Sequence, residues 1–190
     1  MRLSRSFYDR PTLKVARELL GKEIVREISG KKIGGKITEV EAYIGQNDPA
    51  CHACRGKTPR NEIMFGSPGY AYVYLIYGMY ECLNVVTEKK DFPAAVLIRG
   101  VQPEYGIETM IKQRYQKKAA TEKELQNLAN GPGKLCQALG ITRKLNGADL
   151  LKKELSIYDS TSVSESKIKT TPRIGIKEGT DKLWRFVWEG

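Results

Sequence analysis

The spacing of apolar and polar positions predicts a chain that mixes short helices with alternating strands. The first helix is predicted to open at Pro11, which suits a first helical turn, and to stop at Gly21. Its apolar stripe, repeated at helical spacing, is Leu13, Ala16, Leu19 and Leu20. Period-two alternation predicts strands at residues 23–28, 35–43, 70–76, 82–86, 94–101, 155–159 and 183–188. Further helices are predicted at residues 103–115, from Thr121 onward, and from the turn at 130–134 through Leu139.

Two loops and a hairpin tip stand out between these elements. Residues 44–69 form a long loop with many Gly and Pro residues, and loops of this length are often functional. Residues 160–169 are polar and are predicted to be a mobile loop. The strands at 70–76 and 82–86 form a hairpin whose turn, residues 77–80, carries large side chains where Asn, Asp, Ser and Gly are usual. Either another loop covers this tip, or the tip is a wedge that inserts into a partner.

The composition is that of a basic globular protein. The chain has 190 residues, 41% of them hydrophobic, which predicts one domain spanning residues 1–190. No apolar run reaches the length of a membrane span, and the polar, basic start does not resemble a signal peptide, so we expect a cytoplasmic protein. With 32 Lys and Arg against 22 Asp and Glu, the net charge of +10 indicates either lysine-based solubility or a polyanionic partner, of which nucleic acid is the commonest.

The four cysteines do not form a metal site that sequence spacing can identify. Cys51 and Cys54 flank His52, but a structural zinc site usually needs a second local pair, and Cys82 and Cys136 are isolated. No strand–CxxC–helix pattern supports a redox motif. The zinc deaminases of nucleobases are excluded because the chain has no His-x-Glu motif. We therefore expect no metal and no cofactor.

Candidate catalytic chemistry centres on the strand end at 39–43 and on His52, the only histidine in the chain. Side chains alternate along a strand, so Glu41 and Tyr43 are expected to point the same way. A buried Glu41 would suit a general base that activates water. The alternative is an exposed Glu41 paired with a lysine, which Glu39 favours slightly because it resembles a solvated strand end. Arg99, on another strand, either neutralises Glu41 or helps to hold the water.

Aromatic side chains predict a pocket that stacks a flat ring. Tyr43, His52 and Tyr74 could form an aromatic box, and such stacking is worth about 1–3 kcal/mol per nucleobase. A cationic base would gain further from the ring faces. Tyr74 shares a strand face with Tyr70 and Tyr72, and three hydroxyls are more than a dry core usually holds. The alternative is that Tyr74 is simply a core residue.

A glycine-rich turn offers a weak signal for phosphate binding. Gly131, Pro132, Gly133 and Lys134 open a predicted helix, where free backbone N–H groups suit a phosphate oxygen. Ordinary helix entries look the same, and the spacing of a P-loop is absent.

Short segments that match a known family run in order along nearly the whole chain. They are residues 16–22, 39–43, 48–52, 58–61, 64–65, 72–80, 97–99, 130–136 and 172–175. On these residues the chain resembles the alkyladenine (3-methyladenine) DNA glycosylases of eukaryotes and bacteria. The resemblance implies an α+β fold: a single mixed domain with a curved antiparallel β-sheet, flanking helices and a protruding β-hairpin that inserts into the DNA minor groove.

The resemblance also implies an activity. Such an enzyme is a monofunctional glycosylase, without lyase activity, that flips a damaged purine out of double-stranded DNA and hydrolyses its bond to deoxyribose. The expected substrates are 3-methyladenine and 7-methylguanine, with hypoxanthine and ethenoadenine as further candidates. We expect a monomer whose DNA partner contains damaged purines and which associates with the nucleoid.

Residue roles follow from the matching positions. The resemblance implies that Glu41 is the general base, and that Arg99 and the backbone carbonyl near Ile174 help to hold the water. It assigns the flipped base to Tyr43, His52 and Tyr74. It places Asn84 at the pocket edge, where it helps to exclude undamaged bases, and Leu97 in the base-binding pocket. The residues expected to contact the minor groove are Tyr77, as the wedge that fills the vacated stack, Met79 and Tyr80.

One departure from the family concerns the loop around His52. Cys51 and Cys54 stand where small or polar residues are expected, which could make this loop sensitive to oxidation. Two other hypotheses stay open. One is a non-catalytic nucleic-acid-binding protein that kept the fold and the basic face, and the other is a glycosylase that also nicks the strand through a lysine Schiff base.

Overall fold

A computed structural model describes residues 1–189 and has a mixed α+β fold built on an antiparallel sheet, as expected. The strands follow the order β3-β4-β5-β2-β1-β6, and β8 pairs with both β2 and β7. Within the described residues the eight strands are β1 (Glu23–Ile28), β2 (Lys31–Ile44), β3 (Ala71–Ile76), β4 (Tyr80–Val86), β5 (Ala94–Tyr105), β6 (Leu155–Tyr158), β7 (Ile168–Thr171) and β8 (Arg185–Trp188).

Strand β2 is the centre of the sheet. It pairs with β5 along one edge, while on the other edge its first half pairs with β1 and residues 39–41 pair with β8. Register shifts between Ile37 and Val40 mark β-bulges, which bend a strand and increase its twist, in keeping with a curved sheet. Because both edges of β2 are covered at Glu41, this end of the strand lies inside the protein.

Short helices flank the sheet. Helix α2 buries Val15, Ala16 and Leu19 in the main apolar core against the sheet. The predicted capping box is present at α4, where Thr121 accepts from the Glu124 backbone N–H and the Glu124 carboxylate accepts from that of Thr121. Within the part of the chain described, the helices are α1 (Arg5–Tyr8), α2 (Thr12–Leu19), α3 (Ile107–Tyr115), α4 (Glu122–Gln126) and α5 (Pro132–Ala138), with 3-10 turns at Glu62–Phe65, Arg143–Leu145 and Glu165–Lys167.

The predicted helix at 103–115 begins too early. Strand β5 continues through Pro103 to Tyr105, and the helix starts only at Ile107. Proline normally disfavours a strand interior, but here it lies opposite Gly35 at a register shift, where a missing N–H is tolerated.

The expectation of a mobile loop at 160–169 is also wrong in part. This segment contains the 3-10 turn Glu165–Lys167 and the start of β7, a strand that the sequence pattern did not predict. Glu165 accepts a hydrogen bond from Arg17 at 2.6 Å, which ties the segment to α2. No helix among residues 1–189 is long and apolar enough to cross a bilayer.

Candidate active site

Glu41 is a fully buried carboxylate at the centre of the candidate site. Its Oε2 accepts from the Tyr43 hydroxyl at 2.8 Å and from Arg99 Nη1 at 3.4 Å, and its Oε1 accepts from the Ile174 backbone N–H at 2.7 Å. The strand alternation that put Glu41 and Tyr43 on one face is confirmed. These donors satisfy a carboxylate that has no access to bulk water.

Glu39 is not the solvated strand end that would have favoured an exposed Glu41. Its Oε1 accepts from Arg99 Nε at 2.8 Å and from Arg185 Nε at 2.6 Å. Glu39 therefore takes the ion pairs with Arg99 and Arg185, while Glu41 lies deeper. Arg99 contacts both carboxylates, but its distance to Glu39, 2.8 Å, is shorter than its distance to Glu41, 3.4 Å. Glu39 therefore sets the orientation of the guanidinium group.

Ile174 reaches the site through its backbone N–H, whereas the resemblance pointed to a carbonyl in this region. The side chain of Ile174 is 50% exposed, so burial does not hold the residue in place. Its neighbour Arg173 is buried and anchors this stretch of chain through Asp48, a contact that was not predicted.

Aromatic rings line the space next to Glu41. The centroids of His52 and Tyr74 are 4.5 Å apart, and those of Tyr72 and Tyr74 are 5.3 Å apart. His52 Nδ1 lies 2.9 Å from the Tyr72 hydroxyl, so Tyr72 orients the imidazole, although Tyr72 was not among the predicted site residues. Its shared strand face with Tyr74 was the available signal. Burial raises the pKa of Tyr72 to about 12, and it raises those of Tyr43 and Tyr74 beyond their ordinary range, so these phenols stay neutral at pH 7.

The loop that carries His52 is held by buried polar groups rather than by regular structure. Asn61 is 1% exposed, and its side chain donates to the carbonyls of His52 at 2.8 Å and Gly56 at 3.0 Å. Cys51 is also buried, in a small apolar cluster beneath the loop. The four cysteines are free thiols, and within residues 1–189 no three His, Cys, Asp or Glu side chains are grouped to hold a metal ion.

His52 is expected to stay neutral well below its ordinary pKa. Partial desolvation where the imidazole packs against the Tyr74 ring, and then the nearby Arg60 cation, lower the pKa of His52 from 6.5 to about 4, although one side of the residue stays exposed to solvent. The unfolded chain then binds more protons below pH 6.5, so the free energy of unfolding should fall as the pH drops from 6.5 towards 4. His52→Gln should flatten this slope. Because the chain has one histidine, its NMR titration is unambiguous, and a midpoint at or above 6.5 would contradict the expectation.

Asn84 and Leu97 form one edge of the space. They face each other across β4 and β5, and both are buried. Asn84 Nδ2 donates to the Tyr72 carbonyl at 3.1 Å, which fixes the orientation of its amide. A buried amide can discriminate among bound rings, because a ring whose edge leaves the amide without a hydrogen-bond partner is bound less favourably.

The hairpin tip between β3 and β4 is exposed, so it is not covered by another loop. Tyr77 is 78% exposed, Met79 65% and Tyr80 41%. Tyr77 and Gly78 have φ angles of 53° and 70°, as in a type I′ turn. A tyrosine at positive φ is strained, and strain of this kind is typical of functional positions.

The turn at the start of α5 lies beside Tyr80, the last residue of this tip, and leaves Tyr77 and Met79 exposed. Lys134 Nζ donates to Asn127 Oδ1 at 2.9 Å and to Asn130 Oδ1 at 3.0 Å, so its amine already has two neutral partners. Gly131 and Gly133 border the same space. A Cβ at Gly133 would lie 2.9–3.0 Å from atoms of Tyr80, so this glycine makes room for that ring. Phosphate binding by Gly131, Gly133 and Lys134 stays a prediction.

Gly133→Ala should therefore destabilise the protein, although alanine is normally better than glycine in a helix by about 1 kcal/mol. Forcing a methyl group against Tyr80 costs roughly 1–3 kcal/mol, which outweighs that gain. We expect a lower thermal midpoint of unfolding. A variant with a higher midpoint would show that Tyr80 adapts freely.

One cavity of about 720 Å³ lies between these groups. Its wall includes His52, Arg99 and five tyrosines, namely Tyr43, Tyr72, Tyr74, Tyr77 and Tyr80. Tyr43, Arg99 and Ile174 all contribute to its wall and all contact Glu41, so the carboxylate lies directly behind that wall. A flat ring in this cavity could stack on aromatic faces. The Glu41 carboxylate, which is a suitable group to activate a water, would then lie near the atoms that are bonded to that ring. The remaining predicted site residues, Asn84, Leu97, Tyr77, Tyr80, Gly131, Gly133 and Lys134, also border the cavity, whereas Met79 does not.

Comparison with known proteins finds consistent matches over the whole chain. The family model of methylpurine-DNA glycosylase (MPG) matches residues 6–190. A protein of Alkaliphilus oremlandii is 53% identical over 98% of this chain and 95% of its own length. A protein of Methanocella arvoryzae is 55% identical over 97% and 90%, and one of Bacillus cereus 48% identical over 100% and 97%. Each of these relatives carries the name "Putative 3-methyladenine DNA glycosylase".

Proposed function

The chain belongs to the methylpurine-DNA glycosylase family, and we propose on that premise that it excises alkylated purines, 3-methyladenine and 7-methylguanine among them, from double-stranded DNA. It hydrolyses the N-glycosidic bond and leaves an abasic site. The observation that carries the proposal is Glu41, a fully buried carboxylate behind the wall of an aromatic cavity.

The cavity suits a purine that has rotated out of the duplex. Tyr43 forms one wall, and the His52–Tyr74 pair offers another aromatic surface. Because the phenols and His52 are neutral at pH 7, a methylated purine cation meets ring faces without a charge on them. Stacking, worth about 1–3 kcal/mol for the nucleobase, offsets part of the few kcal/mol that base flipping costs.

The hydrolysis uses one water and one carboxylate. The Arg99–Glu41 contact of 3.4 Å is the longest at Glu41, so a water that bridges them replaces the weakest hydrogen bond there. Glu41 takes a proton from this water, and the water oxygen bonds to C1′. The electron pair of the broken glycosidic bond leaves with the base. The negative carboxylate also stabilises the oxocarbenium-like transition state.

The charge of the lesion decides how readily it leaves. A methylated cationic purine departs as a neutral molecule when it takes the glycosidic electron pair. A neutral purine such as hypoxanthine or ethenoadenine has to be protonated as it leaves. Cationic lesions are therefore the preferred substrates.

The exposed hairpin tip supplies the DNA contact. Tyr77 fills the gap left by the flipped base, with Met79 and Tyr80 beside it in the minor groove, as inserted side chains do in other minor-groove proteins. The net charge of +10 favours the phosphate backbone, to which Gly131, Gly133 and Lys134 contribute. Binding should accordingly weaken steeply with salt. The protein acts as a monomer on the duplex.

The test is a panel of duplexes that each carry one modified purine, assayed for released base. Release of 3-methyladenine and 7-methylguanine, with an intact strand until alkali treatment, is the expected result. Binding to all duplexes without release would favour the non-catalytic DNA-binding reading. Strand cleavage with a borohydride-trapped adduct would indicate a lyase and contradict the single-carboxylate mechanism.

A further inference from the structure

A buried ion pair behind the cavity joins the separate chain segments that build it. Arg173 is 4% exposed and Asp48 is fully buried. Arg173 donates to both oxygens of the Asp48 carboxylate, from Nη1 at 2.6 Å and from Nη2 at 2.7 Å. Neither residue borders the cavity, so neither can touch a bound base directly.

Arg173 supports Tyr43 from behind. Its guanidinium carbon lies 4.7 Å from the centroid of the Tyr43 ring, and Nη1 also donates to the carbonyl of Ala42 at 2.9 Å. The other aromatic neighbour is Trp184, whose ring centroid is 5.1 Å away. Because Tyr43 borders the cavity and Arg173 does not, the guanidinium holds the ring face that points away from the base.

Asp48 sets the start of the loop that carries His52. Its Oδ2 accepts from the Ile44 backbone N–H at 3.2 Å, and its Oδ1 accepts from that of Ala50 at 3.3 Å. Its backbone carbonyl accepts from the Cys51 N–H at 2.9 Å, and His52 is the next residue. The carboxylate therefore fixes how the chain turns from the end of β2 towards the imidazole.

The neighbour of Arg173 in sequence is Ile174, whose N–H donates to Glu41 at 2.7 Å. Since the Ile174 side chain is half exposed, the buried side chain of Arg173 is what locates this amide. One ion pair thus connects the Glu41 partner, the Tyr43 wall and the His52 loop.

From these contacts we infer that Arg173 and Asp48 are positioning residues for base excision. They hold Tyr43, the His52 loop and the Ile174 amide in fixed positions relative to one another around the flipped purine. The inference rests on the proposed function. The pair acts on the rate of bond cleavage, whereas affinity for undamaged duplex comes from the tip and the basic surface. Displacing catalytic groups by about 1 Å costs roughly 100-fold in rate.

The geometry of the pair points to positioning because a buried ion pair is weak evidence for stability. Replacing both partners by apolar side chains of similar volume is often neutral or stabilising, since desolvation offsets the Coulomb attraction. What apolar side chains cannot reproduce is the fork of donors that reaches Asp48 and Ala42 together.

The experiment uses two variants of the pair. One is Arg173→Lys, and the other is a double variant that carries Arg173→Met and Asp48→Leu together. The control is Arg5→Lys, because Arg5 also pairs with an aspartate, donating from Nη2 to both oxygens of Asp149 at 3.0 Å, and lies 4.7 Å from the ring of Tyr70, away from the cavity wall. This pair is more exposed than that of Arg173, with side chains 34% and 19% accessible, so it controls for the loss of an arginine–aspartate pair outside the site. For each protein we would measure the unfolding midpoint, the dissociation constant for undamaged duplex and the single-turnover rate of 7-methylguanine release.

We expect both Arg173 variants to release base about 100-fold more slowly while undamaged duplex binds as before, and the Arg5 variant to keep the wild-type rate. A folded Arg173→Lys protein or double variant with the wild-type rate would overturn the inference. A rate that falls only in proportion to the folded fraction would also overturn it, since the pair would then stabilise the fold alone. A wild-type protein that releases no base from any methylated duplex would instead contradict the proposed function.

Discussion

Glu41→Gln should abolish base release while leaving duplex binding intact. Glutamine has the same shape and still accepts a hydrogen bond, but it cannot take the proton of the attacking water. Losing a general base typically costs about 10²–10⁴-fold in rate, and the lost negative charge removes stabilisation of the oxocarbenium-like transition state in addition. The measurement is single-turnover release of 7-methylguanine from a duplex that saturates the protein.

The matched control for this change is Glu27→Gln. Glu27 is also a strand glutamate with a mostly buried side chain, 17% exposed, but it pairs with Lys153 and lies outside the cavity wall. Its variant should release base at the wild-type rate. If Glu41→Gln also did so while remaining folded, another group would have to activate the water.

Tyr77→Asn should make the protein more stable and less able to bind a lesion. Tyr77 has a φ angle of 53°, a left-handed conformation that costs most residues roughly 1–2 kcal/mol and that asparagine adopts more readily. The ring it removes is the proposed wedge, and the loss of its stacking should weaken lesion binding by about 1–3 kcal/mol. Opposite signs for stability and affinity would separate the strain of the tip from its role in DNA recognition.

Ser29→Asn is the matched control, because Ser29 and Gly30 form an equivalent turn between β1 and β2, with φ angles of 49° and 77°. This change should also raise the unfolding midpoint, but lesion affinity should not change. The wedge interpretation fails if Tyr77→Asn binds a lesion-bearing duplex as tightly as the wild type does. Chemical denaturation and fluorescence anisotropy provide both quantities.

Local patterns along the sequence predicted much of the fold. Strand alternation at Glu41 and Tyr43, the capping box at Thr121 and the tip at Tyr77 depend on neighbouring residues, and the structure has each of them. The errors lie where distant partners decide. Strand β5 continues to Tyr105 because β2 pairs with it there, and β7 forms because β8 lies beside it. Nothing within either segment alone indicates that pairing.

The candidate site divides in the same way. Glu41, Tyr43, His52 and Tyr74 were predicted because they carry reactive or aromatic groups in recognisable local patterns, whereas Asn84, Leu97 and Ile174 were predicted only through the family resemblance. Asp48 and Arg173 were missed as a pair, since they lie 125 positions apart and an isolated aspartate or arginine in a loop is ordinary in composition. Tyr72 was noticed on the correct face, but its contact with His52 depends on the path of a long loop.

The position of β8 has a consequence for how this protein is made. Glu41 emerges early during synthesis, but its cover comes from Ile174 and from Arg185 on β8, near the other end of the chain. A nascent chain on the ribosome therefore carries the reactive carboxylate long before the groups that surround it exist. Under the proposed function, base release then requires segments that are synthesised late, so we expect unfinished polypeptides to release no base from DNA.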